Sequence, residues 1–135
     1  MNISIKNIHG EFRYYAVSFT HHYPVKENKP ILLENVHIEN VYASKSRGYC
    51  ADIFKWNLEN GALIWFENDV NVKNVLIENV YRNERNLDTQ APTIRISERV
   101  HATNLRIKNL NETFHGNTLT SIENNSEDTA KITLD

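Results

Sequence analysis

Two glutamates, Glu39 and Glu78, are the acids whose spacing best suits joint chemistry. Each is the fifth residue of a seven-residue phrase: Asn35-Val36-His37-Ile38-Glu39-Asn40-Val41 and Asn74-Val75-Leu76-Ile77-Glu78-Asn79-Val80. If the two phrases are neighbouring parallel strands, their carboxylates lie about one strand spacing, roughly 4.8 Å, apart. Such a pair can divide the work of acid and base, since each charge raises the other's pKa. It can also hold a calcium ion through its oxygens. Lys6, Lys108 and Asp135 share the column of the two glutamates, and Ser4, His37, Leu76, Arg106 and Thr133 form the column beside it. The plainer reading is a solvated ladder, with the two lysines flanking the two acids.

The substrate-contact candidates are the outward-column residues Lys6, His37, Arg106 and Lys108, with three aromatics. Tyr42 and Tyr81 follow the phrase in successive copies, and Trp56 sits in the polar excursion Lys55–Asn60. Exposed aromatic faces suit stacking on sugar rings. Trp65, in Ala62-Leu63-Ile64-Trp65-Phe66, is read instead as buried filling of a turn. The histidines 9, 21, 22, 37, 101 and 115 show no metal-ligand spacing, so no zinc site is expected. The single cysteine, Cys50, excludes an internal disulfide and is read as a structural buried thiol.

The phrase that places these residues occurs four times. The first copy is Asn2-Ile3-Ser4-Ile5-Lys6-Asn7-Ile8 and the fourth is Asn104-Leu105-Arg106-Ile107-Lys108-Asn109-Leu110, with the start of a fifth at Lys131–Asp135. From Ile5 to Ile38 is 33 residues, from Ile38 to Ile77 is 39, and from Ile77 to Ile107 is 30. A constant phrase with variable spacing describes one fixed strand per repeat, joined by loops of changeable length. The apolar residues alternate within it, which is strand periodicity. The spacers carry no apolar stripe at helical spacing, which disfavours strand–helix repeats. Further strands are expected at 13–20 and 31–33, then at 51–54, 62–66 and 70–72, then at 93–96 and 100–102, and at 119–122. That makes three short strands per coil, with polar loops between, including 82–91.

Asn2, Asn35, Asn74 and Asn104 form one column and Asn7, Asn40, Asn79 and Asn109 another. Amides donate and accept, so stacked copies can bond along the column. The second column shares the parity of the inward isoleucines and is expected to point inward at a bend. The 135 residues suit one domain, and a net charge of −2 implies no nucleic-acid or membrane partner. No secretory core follows Met1, and no apolar run reaches membrane-span length.

The Asn-φ-x-Ile-x-Asn-φ columns, with φ an aliphatic residue, resemble the right-handed parallel β-helix of the pectin-lyase-like superfamily over nearly the whole chain. That resemblance implies an all-β solenoid of about four coils. Residues 1–135 are then one domain, expected to be the C-terminal coils of a larger β-helix protein. It implies an extracellular or virion-associated location and a polysaccharide partner. The function implied is that of a segment of a polysaccharide hydrolase or lyase-like protein, not catalytic alone. The alternative is a non-catalytic structural or glycan-binding module, such as part of a phage tail fibre or adhesin. The polygalacturonase motifs Asn-Thr-Asp, Asp-Asp and Gly-His-Gly are absent. Arg106-Ile107-Lys108 matches that family's Arg-Ile-Lys triplet, but it falls in the repeat, whose other copies read Ser-Ile-Lys, His-Ile-Glu and Leu-Ile-Glu. No cofactor is expected, calcium at the glutamate pair apart. Self-association through open coil ends is expected, because the chain starts in one phrase strand and stops in another.

Overall fold

The computed structural model describes residues 2–20, 30–46, 61–116, 118–126 and 132–134. The described residues form strands and turns, with no helix among them. In chain order the strands are β1 (Ile3–Phe12), β2 (Val17–Phe19), β3 (Ile31–Lys45), β4 (Ile64–Phe66), β5 (Val70–Glu84), β6 (Ile94–Ile96), β7 (Ala102–Phe114), β8 (Ile122–Asn124) and β9 (Ile132–Leu134). Odd-numbered strands build a five-stranded sheet in the order β1-β3-β5-β7-β9, and even-numbered strands a four-stranded sheet in the order β2-β4-β6-β8. All pairings are parallel, and each strand pairs with the strand two places on. The arrangement is compatible with a parallel β-helix.

The register puts like on like. Ile3, Val36, Val75, Leu105 and Ile132 pair in sequence, as do Ile5, Ile38, Ile77, Ile107 and Leu134. Ile38, Ile77 and Ile107 are completely or almost completely buried, while Leu134 on the outer strand β9 is 64% exposed. Each fully buried aliphatic contributes about 1.5–3 kcal/mol of transfer free energy. The small sheet closes the same core with Ile64, Phe66, Ile94 and Ile96, and the rings of Phe19 and Phe66 stack at 5.1 Å.

The asparagines break the long strands into straight runs. Asn7, Asn35, Asn40, Asn74, Asn79, Asn104 and Asn109 all have φ between 54° and 61°. Left-handed backbone costs most residues roughly 1–2 kcal/mol, and asparagine tolerates it best after glycine. Each such residue resets the inward–outward alternation. In β5 the buried residues are Val70 and Val72, then Val75 and Ile77, then Val80, Arg82 and Glu84. The amides bond along both columns: Asn35 to Asn2 at 3.0 Å, Asn74 to Asn35 at 3.4 Å and Asn104 to Asn74 at 3.0 Å. In the other column Asn40 donates to Asn7 at 3.1 Å, Asn79 to Asn40 at 3.2 Å and Asn109 to Asn79 at 2.8 Å.

Several expectations need correcting. The second Asn column does not point inward: Asn7 and Asn109 are exposed, and Asn40 and Asn79 half-buried, because left-handed backbone resets the parity. The strand expected over 13–20 is confined to Val17–Phe19, and the one expected over 119–122 runs instead over Ile122–Asn124. Residues 31–33, 70–72 and 102 are not separate strands but the first runs of β3, β5 and β7, and those strands continue past the phrase to Lys45, Glu84 and Phe114. Strand therefore replaces the first part of the loop expected over 82–91. The strand expected over 51–54 lies outside the described residues.

Candidate functional site

The middle run of the large sheet carries its outward residues in two columns. Ser4, His37, Leu76 and Arg106 are register partners, and so are Lys6, Glu39, Glu78 and Lys108. Alternation puts His37 and Glu39 on one face of β3, two residues apart, and the ladder sets Glu78 beside Glu39. His37 Nε2 lies 2.8 Å from Glu78 Oε1 and 3.9 Å from Glu39 Oε2. Lys6 Nζ stands 3.5 Å from Glu39 Oε2. The site is partly open to water, the His37, Glu39 and Glu78 side chains being 34, 25 and 26% exposed. Imidazole thus contacts both acids from the neighbouring column, closely at Glu78 and more distantly at Glu39.

Beyond the second bend, the outward residues are His9, Tyr42, Tyr81 and Asn111 in one row and Glu11, Ser44, Asn83 and Thr113 in the next. Tyr42 and Tyr81 stack with centroids 4.6 Å apart, and His9 meets Tyr42 edge-on at 5.3 Å. The tyrosine faces are therefore turned toward each other along the stack, and the ring edges and hydroxyls look out. Tyr42 is 45% exposed. Beside this row runs a groove of about 290 Å³ lined by His9, Glu11, Tyr42, Ser44, Tyr81 and Asn83. It adjoins a second hollow, of about 450 Å³, that includes Asn111, Thr113 and His115. His115 and Asn83 meet at 2.5 Å, and Asn109 donates to the Tyr81 hydroxyl at 3.2 Å.

The small sheet presents a third row, Ser18, Trp65, Arg95 and Glu123, with Ser18 paired to Trp65, Trp65 to Arg95 and Arg95 to Glu123. Trp65 is not buried in a turn. It is half-buried in β4, donates to Ser97 Oγ at 3.0 Å, and carries the Arg95 guanidinium 5.2 Å above its ring. Arg95 also pairs with Glu123. Beyond that sheet, Arg99 is held protonated above its usual range by hydrogen bonding and charge from Asp69, at 3.1 and 3.2 Å.

Inside the fold lies a cluster of charges. Arg82 and Glu84 side chains are fully buried, and Arg82 Nε donates to Glu84 Oε1 at 3.0 Å. Arg82 Nη1 donates to Thr93 Oγ1 at 2.9 Å, and Thr93 and Ser121 both donate to Glu112. The buried Lys45 donates its amine to the Tyr14 carbonyl and, at 2.9 Å, to the Gly61 carbonyl, and its backbone N–H to Glu84 at 3.0 Å. Arg82 Nη2 lies 2.9 Å from Glu84 Oε1 but at an angle that makes no hydrogen bond. Two cations and two carboxylates thus occupy consecutive repeats. The sequence carries a signal for them: beyond the second Asn, alternate positions are Val41, Ala43 and Lys45, then Val80, Arg82 and Glu84, then Leu110, Glu112 and Phe114.

The structure thus brings His37, Glu39, Glu78 and Lys6 together on one face, with Arg106 and Lys108 on the adjoining strand. It sets Tyr42 and Tyr81 together on another. Trp56 and Cys50 lie outside the described residues. No family model matches the chain, and no curated protein or solved structure shows significant similarity to it.

Proposed function

We propose that this chain is a right-handed parallel β-helix segment of about four coils from a carbohydrate-active, extracellular or virion-associated protein, and that it holds polysaccharide along its side without cleaving it alone. The observation that carries this reading is the row His9–Tyr42–Tyr81–Asn111 beside its groove. A row of hydroxyls, amides and ring edges, repeated at the strand spacing, suits a ligand that is itself a repeating chain of hydroxyls. Right-handedness follows the rule for parallel crossover connections. The pair Glu39–Glu78 lies outside that row and fits a paired surface ladder better than an acid–base couple. His37 and Lys6 engage both acids, and the face is open, so water is not kept from a reacting bond.

The test is a panel of pectins, alginates and capsular glycans, scored for binding and for reducing ends or unsaturated products. Binding without turnover is expected, weakened by Tyr81→Ala and unchanged by Glu78→Gln. Enzyme-dependent product, or no binding to any glycan on the panel, would overturn the proposal.

A further inference from the structure

We infer that His37, Glu39 and Glu78 form a binding site for zinc or a similar first-row divalent transition ion, independently of any glycan bound elsewhere. One ligand atom from each residue lies within 4.8 Å of the other two. Zinc takes nitrogen and carboxylate oxygen at about 2.0–2.2 Å, which makes the ligand–ligand edge of a tetrahedron roughly 3.4 Å. The distances from His37 Nε2 to Glu78 Oε1, 2.8 Å, and to Glu39 Oε2, 3.9 Å, bracket that edge. The third edge, between Glu39 and Glu78, is within 4.8 Å, so an ion would draw those two carboxylates together by side-chain movement.

The backbone beneath these ligands is held in place. His37 pairs with Leu76 and Glu39 with Glu78 in the ladder between two central strands. Asn79, the residue after Glu78, donates a side-chain hydrogen bond at 3.2 Å to Asn40, the residue after Glu39. A rigid platform lowers the cost of ordering ligands around a metal. Three protein ligands on a half-open face leave the fourth position to water or to a group on a ligand. The donor set also selects the ion. Calcium takes six to eight oxygens, whereas one imidazole and two carboxylates suit zinc and its neighbours.

Lys6 opposes the ion, its Nζ standing 3.5 Å from Glu39 Oε2. That contact separates a designed-in geometry from chance histidine binding, because removing Lys6 should free a ligand that an adventitious site would not use. The experiment is calorimetric titration of the chelator-stripped full chain with Zn²⁺, and absorption titration with Co²⁺. One ion per chain is expected, with Co²⁺ giving the intense visible bands of four-coordination. H37A and E78Q should each weaken Zn²⁺ binding by about a hundredfold, the upper end of what loss of even an outer-shell partner costs. K6A should tighten it several-fold, and H101A should change nothing. Parent-like affinity in H37A or E78Q overturns the site. So does an unchanged K6A, which would put Glu39 outside the ligand set. Loss of binding in H21A/H22A would assign the ion to that adjacent pair instead and overturn it equally.

Discussion

Glu84→Gln removes one charge from the interior cluster and nothing from its shape, so it isolates what buried pairing is worth. Glu84 Oε1 accepts from Arg82 Nε at 3.0 Å and from the Lys45 backbone N–H at 3.0 Å, and Oε2 accepts from the Asn86 N–H at 3.2 Å. The amide of glutamine keeps one acceptor and turns two donors toward the remaining N–H groups. Arg82, with none of its side chain exposed, then loses the carboxylate it is paired with. At 3.0 Å and an effective dielectric of about 20, the lost attraction is about 5 kcal/mol. Measured losses from breaking one side of a buried pair are about 3–5 kcal/mol. That is a fifth or more of the roughly 5–15 kcal/mol that holds a typical domain folded.

The assay is urea unfolding followed by circular dichroism, with Glu39→Gln as the surface control. Lys6–Glu39 is half open to water, so that variant should lose about 0–1 kcal/mol. With a urea slope of about 1–3 kcal/mol per molar, the Glu84→Gln midpoint should fall by at least about 1 M. Thr93→Val, which removes the Arg82 Nη1 acceptor but leaves the charges paired, should fall between, at about 1–3 kcal/mol. Equal midpoints for Glu84→Gln and Glu39→Gln would mean that water screens the cluster and that its buried pairing is worth no more than a surface pair.

Asn79→Ala should cost about 1–3 kcal/mol, from ladder bonds lost on both sides and an alanine forced to φ 57°, and Asn79→Gly should recover the backbone share. Asn111→Ala, which loses one exposed contact to Asn109, should cost much less, and similar denaturant midpoints for Asn79→Ala and Asn111→Ala would contradict the account of the bend. Ile77→Ala should cost about 2–5 kcal/mol and Leu134→Ala, at 64% exposure, close to nothing, as read from thermal melts. The outer strands β1 and β9 each have one partner among the described strands of the large sheet. Light scattering over a concentration series should show self-association, and a monodisperse monomer at high concentration would exclude pairing through those edges.

Repeat and register were both legible in the order of residues along the chain. Identical side chains stack best on themselves, so Ile on Ile and Asn on Asn left a periodic trace, and the offsets of 33, 39 and 30 residues reappear as the strand pairings of Asn35, Asn74 and Asn104 with the copy before. Glu39 beside Glu78, and Tyr42 beside Tyr81, were legible for the same reason. The direction of the second Asn column was not. Parity counting assumes extended backbone at every residue, and the left-handed asparagines violate it. That one change of hand also hid the inward run after the phrase, so Arg82 and Glu84 read as loop.

How unlike residues meet across repeats emerges from the folding of one repeat against the next. His37 reaches Glu78 on the next strand more closely than Glu39 on its own, the tyrosine faces close on each other, and Glu84 accepts inside from both Arg82 and the Lys45 backbone N–H. Those contacts join residues with no shared periodicity. Their energies depend on burial and on distances of about 3 Å, which arise only when separate repeats are stacked.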